Sequence, residues 1–175
     1  MSRLLNVMLD LETMSTASNA AIVSIGAVKF SLNDDAPNPI VDTFYCTVDA
    51  KTCKAAGLEI SAATVDWWAS QPREVMDSLR KDAIPLSMAL RKFSQWYGST
   101  SLPTWGCGAS FDNVIIANAY EAVGVTRPWK YWHDRCYRTM KEIVKIPEDS
   151  RQGTYHNALD DAMHQTMHLL KILKS

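Results

Sequence analysis

The first 48 residues contain three segments that read as β-strands, at 4–11, 21–30 and 41–48, with short connections between them. The second is rich in β-branched residues and the third alternates in polarity. Consecutive strands joined in this way predict an antiparallel meander, with 33–39, rich in Asn, Asp and Pro, as a turn. Beyond it the pattern becomes helical. A short helix is predicted at 61–70 with Ser61 as N-cap. Pro72 and Pro85 open two more, at 73–80 and 86–97. A short strand at 102–105, a helix at 111–122 stopped by Gly124, a strand at 131–136 and a helix at 137–144 follow. After a polar loop at 148–155, a last helix covers 158–173. Strands first, then helices alternating with short strands, predict an α/β fold with a mixed sheet flanked by helices. The chain has 175 residues, 47% of them hydrophobic, which suits a single domain over 1–175.

The first strand contains an anomaly. In Met8-Leu-Asp-Leu-Glu-Thr13, Asp10 and Glu12 interrupt an apolar run. Side chains alternate along a strand, so both carboxylates point to one face and repel each other. Either they are solvated at an exposed sheet end, or a hard divalent cation such as Mg²⁺ or Mn²⁺ offsets them. Asp112 follows the small-residue stretch Gly106-Cys-Gly-Ala-Ser110, in the first turn of a predicted helix, where an acid also suits the helix dipole. His156 lies just outside the last helix, with Asn157 as its cap. On that helix Leu159, Ala162, Met163, Thr166, Leu170 and Leu173 form an apolar stripe, with Asp161 nearly opposite and Asp160 at its flank. Each cluster alone has an ordinary structural use. Together they make a plausible two-metal phosphoryl-transfer site.

Charge and composition narrow the function classes. With 18 basic and 19 acidic residues the net charge is −1, which argues against a clamp that grips nucleic acid by bulk charge. No apolar run approaches a membrane span, and the run before Asp10 is too short for a secretory signal. Cys46, Cys53, Cys107 and Cys136 lack the paired spacing of a zinc site and read as free thiols, which fits a cytoplasmic protein. His164 and His168 have a spacing that can bind zinc but no third ligand, and read as a solvated helix face. Lys141, Lys145 and Arg151 could meet phosphates or be ordinary surface.

The set Asp10-x-Glu12, then Ser110-Phe111-Asp112, then His156-x-x-x-x-Asp161 resembles the DEDDh (DnaQ-like) 3′–5′ exonucleases. The resemblance runs from Asp10 to Asp161 in the family's order, and its wording is most similar to a subgroup of phage, prophage and bacterial exonucleases. It implies a ribonuclease H-like fold: a five-stranded mixed sheet, the first three strands antiparallel, with helices on both faces. It implies two divalent cations, Mg²⁺ or Mn²⁺, held by Asp10, Glu12, Asp112 and Asp161, with His156 as general base. The family spacing selects Asp161 over Asp160, and Tyr155 does not fall where the sister group has its tyrosine. Many members carry Gly where this chain has Met14. The implied activity is removal of nucleoside 5′-monophosphates from the 3′ end of single-stranded DNA or RNA, by a homodimer in several members. Thr13, Met14 and Trp68 are the expected substrate contacts, with Trp67 as an alternative stacking platform; adjacent Trp on a helix point different ways, so one belongs to the core. Trp105 reads as core. The alternatives are a non-catalytic binding module of the same fold, a proofreading subunit beside a polymerase, and another ribonuclease H-like nuclease that cuts internally.

Overall fold

The computed structural model describes residues 4–33, 38–108, 110–150, 153 and 156–175. Within the expected turn at 33–39, residues 34–37 lie outside the described set, as do Arg151 and Tyr155. Strands β1 (Leu5–Thr13), β2 (Ile22–Ser31) and β3 (Ile40–Thr47) form the antiparallel meander. β4 (Thr104–Gly106) joins β1 in parallel and β5 (Asp134–Cys136) joins β4 in parallel. The resulting five-stranded mixed sheet has the order β3-β2-β1-β4-β5.

Alternation along β1 divides the core into two layers. Val7, Leu9 and Leu11 face one side, where α1 (Ala50–Ala55), α4 (Leu86–Tyr97) and α5 (Asp112–Ala122) contribute Cys53, Leu90, Phe93 and Ile116. Met8 faces the other side, against α6 (Tyr137–Ile143) and α7 (Ala158–Lys174), with Tyr137, Ala162 and Leu169. Asp10 and Glu12 share that second face. Two further helices, α2 (Ala62–Ala69) and α3 (Arg73–Arg80), form a satellite cluster in which Trp68 and Leu79 pack on Val23. Among the described residues no helix is long and apolar enough to cross a membrane.

Local signals set most boundaries. Ser61 caps α2 by accepting from Thr64 N, and Asn157 caps α7 by accepting from Leu159 N and Asp160 N. Pro85 stands at the N-cap position of α4. Four details differ from the sequence-based expectation. Helix α1, capped by Asp49, lies in a stretch without a predicted element. Residues Tyr131–His133, expected to be strand, form a 3₁₀ turn. β4 is three residues long and offers β5 only three pairing positions, and Tyr131 and Trp132 extend into solvent. The buried face of α7 carries Ala158, Ala162, Gln165, Leu169 and Ile172, while Leu173 is exposed. This face is rotated by about a quarter turn from the predicted stripe, because two polar residues, Gln165 and His168, are buried with partners. His168 was expected on a solvated face. It accepts or donates at Nδ1 with the Tyr137 hydroxyl (2.7 Å) and at Nε2 with the Ile146 carbonyl (2.8 Å).

The α7 helix reaches the sheet through a missing side chain. A Cβ on Gly26 of β2 would fall 2.1 Å from the Ala158 carbonyl carbon and 2.2 Å from Leu159 N. Gly26 pairs with Asp10 across the ladder. Substituting Gly26→Ala is expected to destabilise the protein by roughly 3 kcal/mol, since rigid backbone must move to admit the methyl. A lower urea midpoint with an unchanged slope would check this.

Candidate active site

The C-terminal end of β1 gathers the acids from both sides of the sheet. On the α7 side, Asp10, Glu12 and Asp161 each offer a carboxylate oxygen within 4.8 Å of the others. The rotation of α7 explains this: Asp161 lies on the same side of the helix as Ala158 and Gln165, toward β1, and Asp160 is displaced from it. From the other side comes Asp112, 2% exposed, at the first residue of α5. Its Oδ1 accepts from Leu11 N (3.1 Å) and its Oδ2 from Cys107 N (2.7 Å). It therefore joins the ends of the parallel strands β1 and β4 while standing beside Asp10. Gly106 makes room for it, because a Cβ there would lie 2.5 Å from Asn113 Oδ1 and 3.0 Å from Asp112 Cβ. Asn113 holds the same turn by donating from Nδ2 to the Thr104 carbonyl (2.9 Å) and to Asp134 Oδ1 (3.1 Å).

Burial pushes the Asp10 carboxyl well above its ordinary value, and the charges of Asp112, Glu12 and Asp161 push it further. A hydrogen bond from Gln165 Nε2 to Asp10 Oδ1 (2.7 Å) works in the opposite direction. Burial likewise raises Asp112, to about 6, against the backbone N–H donors of Cys107 and Leu11 and the charge of Arg138. Three carboxylates with oxygens within 4.8 Å of one another, and Asp112 beside them, fit a hard divalent cation of the Mg²⁺ or Mn²⁺ type, which supplies an opposing charge.

The remaining expected residues fall around this cluster. His156 has φ +61°, a left-handed conformation rare outside glycine, immediately before the Asn157 cap. Its ring meets the edge of Trp67 at 4.9 Å between centroids and that of Trp68 at 5.9 Å. Trp68 is 2% exposed and donates its indole N–H to the Thr13 carbonyl (2.9 Å), whereas Trp67 is 44% exposed. The exposed ring beside His156 is thus that of Trp67. Thr13 is buried, with its hydroxyl donating to the Ser15 carbonyl (2.7 Å), and Met14 is half-buried beneath the same corner. Trp105 is in the core and donates to Asn6 Oδ1 (2.9 Å). Lys141 and Lys145 pair with Glu148 and Glu142. Gln165 was not expected at the site. Its only signal in the sequence is its place four residues after Asp161, one helical turn on.

The sequence matches the family model of the 3′-5′ exoribonuclease Rv2179c-like domain over residues 5–173. The chain belongs to this family. It is a 3′–5′ exonuclease. No curated protein matches the sequence significantly. Solved structures share the ribonuclease H-like fold at low identity. The nuclease domain of 3′hExo, a DEDDh family member bound to rAMP, aligns with a TM-score of 0.65 at 12% identity, over 99% of this chain and 93% of that one. A 3′-exonuclease recognising a histone mRNA stem-loop aligns at 0.62 and 12% identity, over 99% and 83%. Exonuclease X, in complex with 5′ overhanging duplex DNA, aligns at 0.59 and 16% identity, over 97% and 91%.

The raised carboxyls fix the sign of a pH effect. A group that holds its proton more tightly when folded stabilises the fold below its unfolded value, near 3.8 here, and loses that contribution as pH rises through the folded one. For Asp112 the window is about 4 to about 6; for Asp10 it extends upward from the same start. In metal-free buffer, Asp10→Asn is therefore expected to melt a few degrees above the parent at pH 7.5, with the gap closing toward pH 4. Melting curves in chelator across that range test this.

Proposed function

We propose that this exonuclease domain, spanning 1–175, hydrolyses the 3′-terminal phosphodiester of single-stranded nucleic acid and releases nucleoside 5′-monophosphates. The observation that carries the proposal is the convergence of Asp10, Glu12 and Asp161 within 4.8 Å, with Asp112 hydrogen-bonded alongside. In this reading Asp10, Glu12, Asp112 and Asp161 would hold two divalent cations. When bound, such cations promote ionisation of the attacking water and offset charge on the departing 3′ oxygen. His156 takes the proton of that water at a ring nitrogen, as a general base. The new bond forms between the water oxygen and phosphorus as the bond from phosphorus to the 3′ oxygen breaks.

Thr13, Met14 and the Trp67–Trp68 pair border the space a terminal nucleotide would enter. Trp68 supports Thr13 from below through its indole N–H, and the exposed face of Trp67 is available for a base. RNA is the favoured substrate class, because the family description names an exoribonuclease. A digestion panel of matched single-stranded RNA, single-stranded DNA, dinucleotides and a circular strand, with Mg²⁺ or Mn²⁺, tests the assignment. The linear RNA is expected to yield mononucleotides and the circle to stay intact; cutting of the circle would refute the exonuclease reading.

Two sets of variants test the roles. Asp10→Ala is expected to abolish mononucleotide release, and an unchanged rate would remove Asp10 from the mechanism. His156→Ala is expected to lower kcat by about 10²–10⁴-fold with a smaller change in KM. Trp67→Ala is expected to raise KM roughly ten-fold, in line with the loss of one base–aromatic stack, and Trp67→Phe to retain most of the affinity. Steady-state kinetics on a short 3′-labelled oligonucleotide separate these outcomes.

A further inference from the structure

Gln165 is an amide placed where the buried face of α7 would ordinarily carry an apolar side chain. It is 9% exposed, between Ala162 and Leu169 in the helix's inward row. Its Nε2 donates to Asp10 Oδ1 at 2.7 Å, across 155 residues of chain. That bond fixes the orientation of the amide toward the ionised carboxylate, the form that holds a cation: it can only accept, and turning Oε1 toward it would set two acceptors against each other. Oε1 is consequently turned away from Asp10, and among the described residues this buried atom has no hydrogen-bond partner. Buried acceptors left in this state are uncommon and costly. An apolar residue would pack the row without that penalty, so the packing of α7 alone does not account for Gln165.

We infer that Gln165 is a positioning residue for the cation site: it holds the Asp10 carboxylate in its coordinating orientation, and its spare Oε1 accepts from water that a hydrated divalent cation brings with it. The inference rests on the metal-dependent reading given above. Partners of this kind orient a ligand without touching the ion, and their removal weakens metal binding. Magnesium keeps several waters when bound by carboxylates, so a free acceptor beside the acids has a donor to meet. Asp10 most needs orienting, because it stands between Glu12, Asp112 and Asp161, all of which repel it.

The test separates a positioning role from a packing role. Gln165→Met keeps the length of the side chain and removes both its donor and its acceptor; Gln165→Leu is a second variant with a different shape. Mn²⁺ binding to the full chain is measured by titration calorimetry, and melting is measured in chelator. The expected result is a Kd for Mn²⁺ raised about 10–100-fold in both variants, with metal-free melting at or above that of the parent. Unchanged Mn²⁺ affinity in a normally melting variant would overturn the inference while leaving the exonuclease reading intact. Metal-free melting well below the parent in both variants would assign Gln165 to the fold instead. If the parent itself bound no Mn²⁺, the metal-dependent reading would fail and this inference with it.

Discussion

The first turn of α7 rests directly on the backbone of β2 at Gly26, and the acidic site exists because of that contact. With no Cβ between them, the start of the helix comes close enough for Asp161 and Gln165 to reach Asp10 on the neighbouring strand. Gly106 does the same on the other side of the sheet, where α5 begins against β4 and delivers Asp112. Two helix N-termini thus converge on the C-terminal end of β1. Their dipoles favour negative charge, and backbone N–H groups at Leu11 and Cys107 hold Asp112 in place.

This arrangement runs against stability. A fold built only to persist would not bury Asp112 and half-bury Asp10 beside two more carboxylates, nor leave the oxygen of Gln165 without a donor among the described residues. The hydrophobic layers above and below β1 tolerate the conflict because it sits at the strand's end, after Val7, Met8 and Leu9 have been fully buried. Departures from local consistency concentrate where function is expected. The left-handed backbone of His156 is another such departure at the same end of the sheet.

The tryptophan pair on α2 shows how one helical turn divides labour. Trp68 points inward, packs with Val23 and Leu79, and ties the helix to β1 through the Thr13 carbonyl. Trp67, one residue earlier, stays half in solvent with its ring against His156. The rigid neighbour anchors the exposed one, so an aromatic surface beside the acids needs no mobile loop to present it.

Much of the framework was legible from local sequence. The three opening strands, the caps at Ser61 and Asn157, the proline before α4 and the shared face of Asp10 and Glu12 depend on residues a few positions apart. Backbone geometry acts on those residues without help from the rest of the chain. The gathering of three acidic segments into one site was legible through resemblance, whereas spacing alone left each cluster ambiguous. What only the tertiary structure decided was which polar residues are buried. The face of α7 turned because Gln165 found Asp10 across 155 residues and His168 found Tyr137 across 31. A hydrophobicity pattern scores both as surface, and burial of a polar side chain is favourable only when a partner stands at the right distance, which depends on the positions of distant elements.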